Sequence, residues 1–294
     1  MSASHAVATR RTWSGMPFVL LVLGDLNFSG TGFLSELARQ KYRPDFVFEA
    51  VRPTLKNADL VVANLEGPLT FADWSPDSEA KIWRFRQMPV FAETMHNAGI
   101  HVLLLANNHI ADAGATGIED TKRYLSAQGL QWVPPPGQGP YAFRKDRASI
   151  DLWNADLTTP AGSYPWAVSA AALVDAVSLH YAVQRSTSLV IVVLHDHADT
   201  EAQKRALAKQ LFSAGVNWVA FGGNHAAGGV VRDGKNGMHL GIGNFVFGCD
   251  CTAETRGAAL RLTIDGDTVS AANFAVDVGN ASNGYVAHVQ GETP

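Results

Sequence analysis

The sequence predicts a mixed α/β fold in which two sheets lie between helical layers. Short apolar, β-branched runs recur along the chain and are separated by segments of helical length, the alternation that yields sheets with helices packed on them. Several runs are apolar on both faces, as strands covered from both sides must be. From 230 to 278 the character changes, and Gly-containing turns separate alternating runs, as in antiparallel hairpins.

Strands are expected over 18–23, 60–63, 101–106, 189–194 and 216–221, where apolar residues run without a break. Helices are expected over 32–40, 45–57, 90–98, 116–128, 166–184 and 200–214. Gly99, Gly129 and Gly215 follow three of these helices, where a left-handed residue ends a helix at little cost. The stretch 130–156 reads as strands around a turn at Pro134–Pro136. Asp233-Gly234 and Asp265-Gly266 mark hairpin turns in the last third. The first fifteen residues, rich in Ser, Ala, Thr and Arg, read as a loose tail, and 16–294 as a single domain.

Composition narrows the class. The chain has 294 residues, of which 47% are hydrophobic and 17% charged, enough apolar content for a substantial core. A net charge of −4 and a pI near 6.2 lack the basic footprint of a nucleic-acid binder. Arg10 and Arg11 are too few for a polybasic anchor. No run approaches the ~18 apolar residues of a membrane span. The run 18–23 is too short for a signal-peptide core and leads straight into Gly24 and Asp25. A cytoplasmic protein without a membrane anchor is expected. Cys249 and Cys251, one residue apart, are expected to be free thiols rather than a structural disulfide.

The chemistry gathers at strand ends. Asp25 and Asn27 follow the first apolar run, Asn64 and Glu66 the second, and Asn107, Asn108, His109 and Asp112 the third. His195, Asp196 and His197 follow the run at 189–194, and Asn224 and His225 the next. Carboxyl ends of parallel strands converge on one edge, where ligands bind. One Asp after a strand is often only a helix cap, and one His is as a rule structural. Five strand ends carrying Asp, Asn, Glu and His, with Ser and Thr dominating none, point to a metal centre. Carboxylate, amide and imidazole donors suit divalent Mn, Fe or Zn. Two such ions roughly 3.5–4 Å apart can bind a substrate oxygen and lower the pKa of a bridging water to supply hydroxide.

The series GDLNFSG, ANLEGPLT, LANNHIADAG, VVLHDHAD, the stretch 215–225 and GIGNFVF resembles the CapA family, named for poly-γ-glutamate capsule synthesis. That family is similar in turn to the calcineurin-like metallophosphatases. The resemblance runs in order from about residue 18 to 248 and implies a four-layer α/β/β/α sandwich of metallophosphatase type. It implies that Asp25 binds a first metal, with Asn27 where phosphatases often place a His, and that Glu66 touches both metals. It also implies that Asn108 and His195 bind the second metal and His225 the first. His109 is then placed beside the substrate and oriented by Asp112, a pair suited to stabilising charge or protonating a leaving group.

Two departures from the family pattern stand out. A Gly-His-His-Pro-His type motif is replaced by Phe221-Gly222-Gly223-Asn224-His225, so Gly223 stands where a second-metal ligand is expected. His197 and Asp199, in place of the family's Gly and Glu, are candidates to compensate; the rival reading makes His197 a cap for the helix starting near 200. Arg84 and Arg86, in an alternating stretch, are candidates to bind an anionic substrate group. The resulting expectation is a metal-dependent hydrolase of a phosphoester or a γ-glutamyl/amide-type small molecule or peptide-like substrate. The alternative is a non-catalytic accessory protein with a degraded second site.

Overall fold

The computed structural model describes residues 17–293 apart from 146–147, 184–186, 198–199, 250, 253 and 267. The tail expected over 1–15 lies outside the described residues, as does Asp199. The first half of the chain runs through β1 (Phe18–Asn27), α1 (Thr31–Arg39), α2 (Arg52–Lys56), β2 (Leu60–Leu65), α3 (Phe91–Ala98), β3 (Val102–Leu104), α4 (Gly114–Ala127), β4 (Gln131–Trp132), β5 (Tyr141–Lys145) and β6 (Ala148–Asp156). The second half continues with α5 (Ala170–Val183), β7 (Leu189–His195), α6 (Glu201–Ser213), β8 (Trp218–Gly222), β9 (Val230–Asp233) and β10 (Asn236–His239). It ends with β11 (Asn244–Phe247), β12 (Arg256–Asp265), β13 (Thr268–Asp277) and β14 (His288–Thr293).

Two sheets form. The first has the order β14-β13-β12-β1-β2-β3-β4, with β11 paired to the far end of β1; the second has the order β5-β6-β7-β8-β10-β9. Strands β1 to β4 are mutually parallel, and so are β6, β7 and β8. Period-two alternation assigns each side chain to a layer. Leu20 and Val22 of β1 face an apolar layer shared with Ile191 and Val193 of β7 and Trp218 of β8. Leu21 and Leu23 face outward against Phe33 of α1, Met95 of α3 and Leu125 of α4. On the far side, Val192 and Phe221 pack with Leu173 and Val177 of α5 and Leu211 of α6. Helix, sheet, sheet and helix therefore stack as the expected four-layer α/β/β/α sandwich. Among the described residues no helix is long and apolar enough to cross a membrane.

Several expectations change in detail. The helix expected over 45–57 is a 3-10 turn at Pro44–Phe48 followed by the separate α2. Pro53 has no amide hydrogen to continue an earlier turn, so it sits in the first turn of a new helix. The strand expected over 101–106 shortens to β3, because the Ala106 N–H donates to Asn154 Oδ1 at 2.8 Å instead of to a ladder. The stretch 84–86 is irregular rather than a strand. Both Asp-Gly hairpins form, β9 with β10 and β12 with β13. However, β10 also pairs in parallel with β8, and β11 with β1. Alternation has the same period in both kinds of sheet and does not distinguish them.

Candidate metal centre

The centre is built where the two sheets present their carboxyl ends to each other. β1 carries a bulge at Gly24, since its pairing with β2 skips from Leu23 to Asp25. The Asp25 N–H donates to the Gly243 carbonyl at 2.9 Å. A Cβ on Gly24 would lie 2.1 Å from that same carbonyl oxygen, so only glycine lets the two backbones approach. Such a bulge re-aims the residue that follows it, here Asp25. Glu66 comes directly after β2 and is pinned by its N–H on the Leu26 carbonyl at 2.9 Å. From the second sheet, the chain leaving β8 turns through Gly223 (φ 96°) to His225, which itself adopts a left-handed φ of 59°. A non-glycine residue in that conformation is held by its surroundings. Asp25, Glu66 and His225 thereby bring three ligand atoms within 4.8 Å of one another.

Charge at this cluster is unbalanced without a cation. Asp25 Oδ1 accepts from Asn64 Nδ2 at 2.7 Å, whereas Asp25 Oδ2 and Glu66 Oε2 are buried with no hydrogen-bond partner. Removing a carboxylate from water is costly unless a charge or donor compensates. Burial, reinforced by the Asp25 charge, holds the Glu66 carboxyl well above the usual range. Burial alone would raise Asp25 too, but the close approach of His225 and the charges of His195 and His225 keep it low. His225 would be depressed by burial, yet the facing Glu66 and Asp25 carboxylates raise it to about 10. A proton on His225, whose Nδ1 lies 3.4 Å from Asp25 Oδ2, thus supplies the positive charge in the cation-free protein. Two orphaned carboxylate oxygens and one imidazole are a donor set fitted to a borderline or hard divalent ion. The residues present fit a metal.

Beside this cluster lies a second group. His195, the last residue of β7, places Nε2 2.9 Å from Asn108 Oδ1. His195 shares one small cavity with Asp25, Asn64 and Asn154. Burial outweighs the neighbouring Asp25 and Asp156 charges and pushes His195 down to about 4, so its ring is neutral near pH 7. His109 Nδ1 meets Asp112 Oδ2 at 2.7 Å, as the three-residue spacing leads one to expect. The contact is made in a turn that precedes α4. Asp112 is fully buried and also accepts from the Phe85 N–H at 2.8 Å, while its Oδ1 takes Lys81 Nζ at 2.5 Å. Lys81 donates in addition to the Asn108 carbonyl. Burial lowers the pKa of His109 despite Asp112.

Other candidates sit differently. Asn27 Oδ1, the one ligating atom of that side chain, accepts from the Ser29 N–H and hydroxyl, while Nδ2 donates to the Glu66 carbonyl. His197 is exposed, with its ring centroid 6.0 Å from that of His195. It does not cap α6: Thr200 does, in a reciprocal box with Gln203. Gly223 leaves no space for the side chain that the family pattern places there, since a Cβ would lie 2.9 Å from the Asp196 N and 3.2 Å from His195 Cδ2. Arg84 and Arg86 both lie over the Trp74 ring, at 5.1 and 4.8 Å, and Arg86 donates to the Ala72 carbonyl. Cys249 and Cys251 are joined in a disulfide, contrary to the expected free thiols; their Cα atoms lie 5.2 Å apart, within the range a disulfide spans.

Sequence reasoning gave no role to the residues that brace these side chains. Asn107 Nδ2 donates to Asn64 Oδ1 and to the Leu65 carbonyl, so a relay of amides runs from the 107–112 turn to Asp25. Tyr164 donates its hydroxyl to Asp156 Oδ2 at 2.6 Å and approaches the Asn107 carbonyl at 2.7 Å. Asp156 sits in register with His195 on the neighbouring strand. The Asn residues had a signal, being next to proposed ligands in the same motifs. Lys81 and Tyr164 had none.

Comparison with known proteins shows the family and the fold. The family model described as bacterial capsule synthesis protein PGA_cap matches residues 19–249. The capsule biosynthesis protein CapA of Bacillus anthracis is 36% identical over 94 residues, which is 32% of this chain and 23% of that protein. The PGA biosynthesis protein CapA of Bacillus subtilis (strain 168) is 22% identical over 254 residues, which is 78% of this chain and 63% of that protein. The chain thus spans less than two thirds of either relative. A crystal structure named as a novel phosphatase of Mycoplasma pneumoniae superposes with a TM-score of 0.51 at 15% identity, covering 90% of this chain and 96% of the other. At that identity the likeness is one of fold.

Proposed function

Because this chain belongs to the bacterial capsule synthesis family PGA_cap, we propose that it is a divalent-metal-dependent hydrolase acting on a phosphoester or a γ-glutamyl/amide-type bond. One observation carries the reading: two buried carboxylate oxygens, Asp25 Oδ2 and Glu66 Oε2, lack partners where His225 also converges. Asp25, Glu66 and His225 would hold the ion, with Asn108 and His195 available alongside. A bound divalent cation supplies polarisation of a substrate oxygen and a lowered pKa for water.

The chain's own residues divide the remaining work. Asp112 accepts from His109 Nδ1 and fixes the imidazole, leaving Nε2 to take up or return a proton at the leaving group. Lys81 balances the Asp112 charge and ties the segment carrying Phe85 to the 107–112 turn. The Phe85 ring packs on His109 with centroids 4.0 Å apart and keeps water from that face. The capsule-related names of the relatives favour an amide-type, peptide-like substrate, and the fold neighbour named a phosphatase favours a phosphoester. Location in the cytoplasm and action on a small molecule belong to the same proposal. Turnover of a phosphoester panel against a γ-glutamyl and amide panel, with Asp25→Ala as blank, separates the two chemistries. Equal rates for the wild type and the blank on every substrate would end the hydrolase reading.

A second reading, a non-catalytic accessory protein, is favoured by Gly223 alone, because the ligand absent there cannot be restored without moving Asp196. Elemental analysis of protein purified without chelator distinguishes them: one or two metals per chain go with the enzyme, none with the accessory protein.

A further inference from the structure

Asn244 stands out among the buried polar residues that the reading above leaves without a task. It opens β11 and lies in register with Asp25 across the parallel β1–β11 pair. Its side chain is fully buried, its Oδ1 sits 2.8 Å from His225 Nδ1, and its Nδ2 is a buried donor with no partner. Three residues later on the same strand, the Phe247 ring packs on the His225 ring with centroids 4.9 Å apart. One short strand therefore supplies both a hydrogen bond and a packing face to a residue held in a left-handed backbone conformation.

We propose that Asn244 is a positioning residue of the metal centre, whose amide oxygen accepts Nδ1–H of His225 and so presents Nε2 as the ring's ligand atom. An imidazole has two nitrogens, and the partner of one decides which tautomer is present and where the other points. Partners of this kind hold a ligating ring in orientation and raise its basicity, and losing one typically costs 10–100-fold in metal affinity. Proximity to Asp25 would not do the same work, since at 3.4 Å the Asp25 Oδ2 is beyond good hydrogen-bond distance from Nδ1 and is itself a ligand oxygen. The unpartnered Nδ2 of Asn244 is a burial cost that an apolar residue of the same size would not carry, and the contact of its Oδ1 with His225 is the reason for an amide there.

The inference rests on the cation being held by Asp25, Glu66 and His225, and the experiment keeps the two apart. Mn²⁺ is titrated calorimetrically into the full chain for the wild type, Asn244→Leu, Asn244→Asp and Asp25→Ala. In parallel, ¹⁵N shifts of the His225 ring in the Zn²⁺-loaded proteins, where the cation has displaced one ring proton, report which nitrogen keeps its hydrogen. Asn244→Leu, matched in size, is expected to weaken Mn²⁺ binding 10–100-fold and to release the Nδ1–H tautomer. Asn244→Asp, which keeps the acceptor, is expected to bind Mn²⁺ at least as tightly as the wild type. Binding by Asn244→Leu within about threefold of the wild type, or Asn244→Asp as weak as Asn244→Leu, overturns the positioning role. Should Asn244→Leu fail to fold, the Asn244→Asp comparison and the wild-type tautomer still decide: a wild-type ring without a proton on Nδ1 refutes the inference. Equal Mn²⁺ binding by the wild type and Asp25→Ala would sink the metal reading itself, and Asn244 with it.

Discussion

The proton on His225 makes metal binding a function of pH. In the cation-free protein the carboxylates of Glu66 and Asp25 hold the imidazole protonated up to about pH 10, well above its ordinary 6.5. A raised pKa of this kind contributes stability that is fully present below about pH 6.5 and is lost as pH climbs through about 10. A divalent ion that takes His225 as ligand must expel that proton. At pH 7.5, well below the folded value of about 10, the expulsion costs on the order of 3 kcal/mol, or roughly two powers of ten in affinity. Mn²⁺ should therefore bind at least about tenfold more tightly for each pH unit gained between about 6.5 and 8.5. Calorimetric titration in buffers of different ionisation enthalpy at those two values counts the protons directly. The expected result is at least one proton released per ion, from His225 and from any Glu66 carboxyl still protonated, and at least about a hundredfold gain in affinity. An affinity flat within threefold, with no proton released, would refute the assignment of His225 as the residue whose charge the cation replaces.

Three further outcomes follow from the same geometry. Glu66→Gln removes a carboxyl whose pKa is raised by burial and by Asp25, so the stability lost by the cation-free wild type as pH rises above the ordinary 4.5 is not lost by the variant. Scanning calorimetry should show a smaller fall in Tm between pH 5 and 8 and no stabilisation by added Mn²⁺. Asp112→Asn removes the acceptor for His109 and the charge facing Lys81; kcat should drop by about 10²–10⁴-fold while Mn²⁺ affinity stays within about threefold of the wild type, read by steady-state kinetics and titration. Gly24→Ala sets a Cβ 2.1 Å from the Gly243 oxygen, and the forced separation of β1 from residues 242–244 should cost at least about 3 kcal/mol, visible as a lowered Tm or as insoluble protein.

What the sequence revealed divides along physical lines. Asp25, Glu66 and His225 were legible because each follows an apolar strand, and parallel strands bring their ends together wherever those strands fall in the chain. His109 and Asp112 were legible because their contact is local. Asn244, Asn64 and Lys81 act on partners 19, 39 and 31 residues away, distances over which spacing carries no information. The helix expected over 45–57 was lost because apolar periodicity runs on through Pro53, whose missing amide hydrogen breaks the ladder on its N-terminal side. The Cys249–Cys251 pairing was missed because a rule drawn from longer loops was applied to neighbours. His197 as a cap lost to Thr200 because a hydroxyl with Gln three residues on satisfies two amides at once.

The three residues proposed to hold the cation come from opposite slabs of the sandwich, Asp25 and Glu66 from one and His225 from the other. Across the rest of their interface the slabs adhere through side chains that care little about angle. An ion seated among those three residues would act as a rivet at the rim, giving the pair one direction-specific fastening. Withdrawing it and letting the slabs splay at that rim would then be a single event, so occupancy and the closeness of the working edge would rise and fall together.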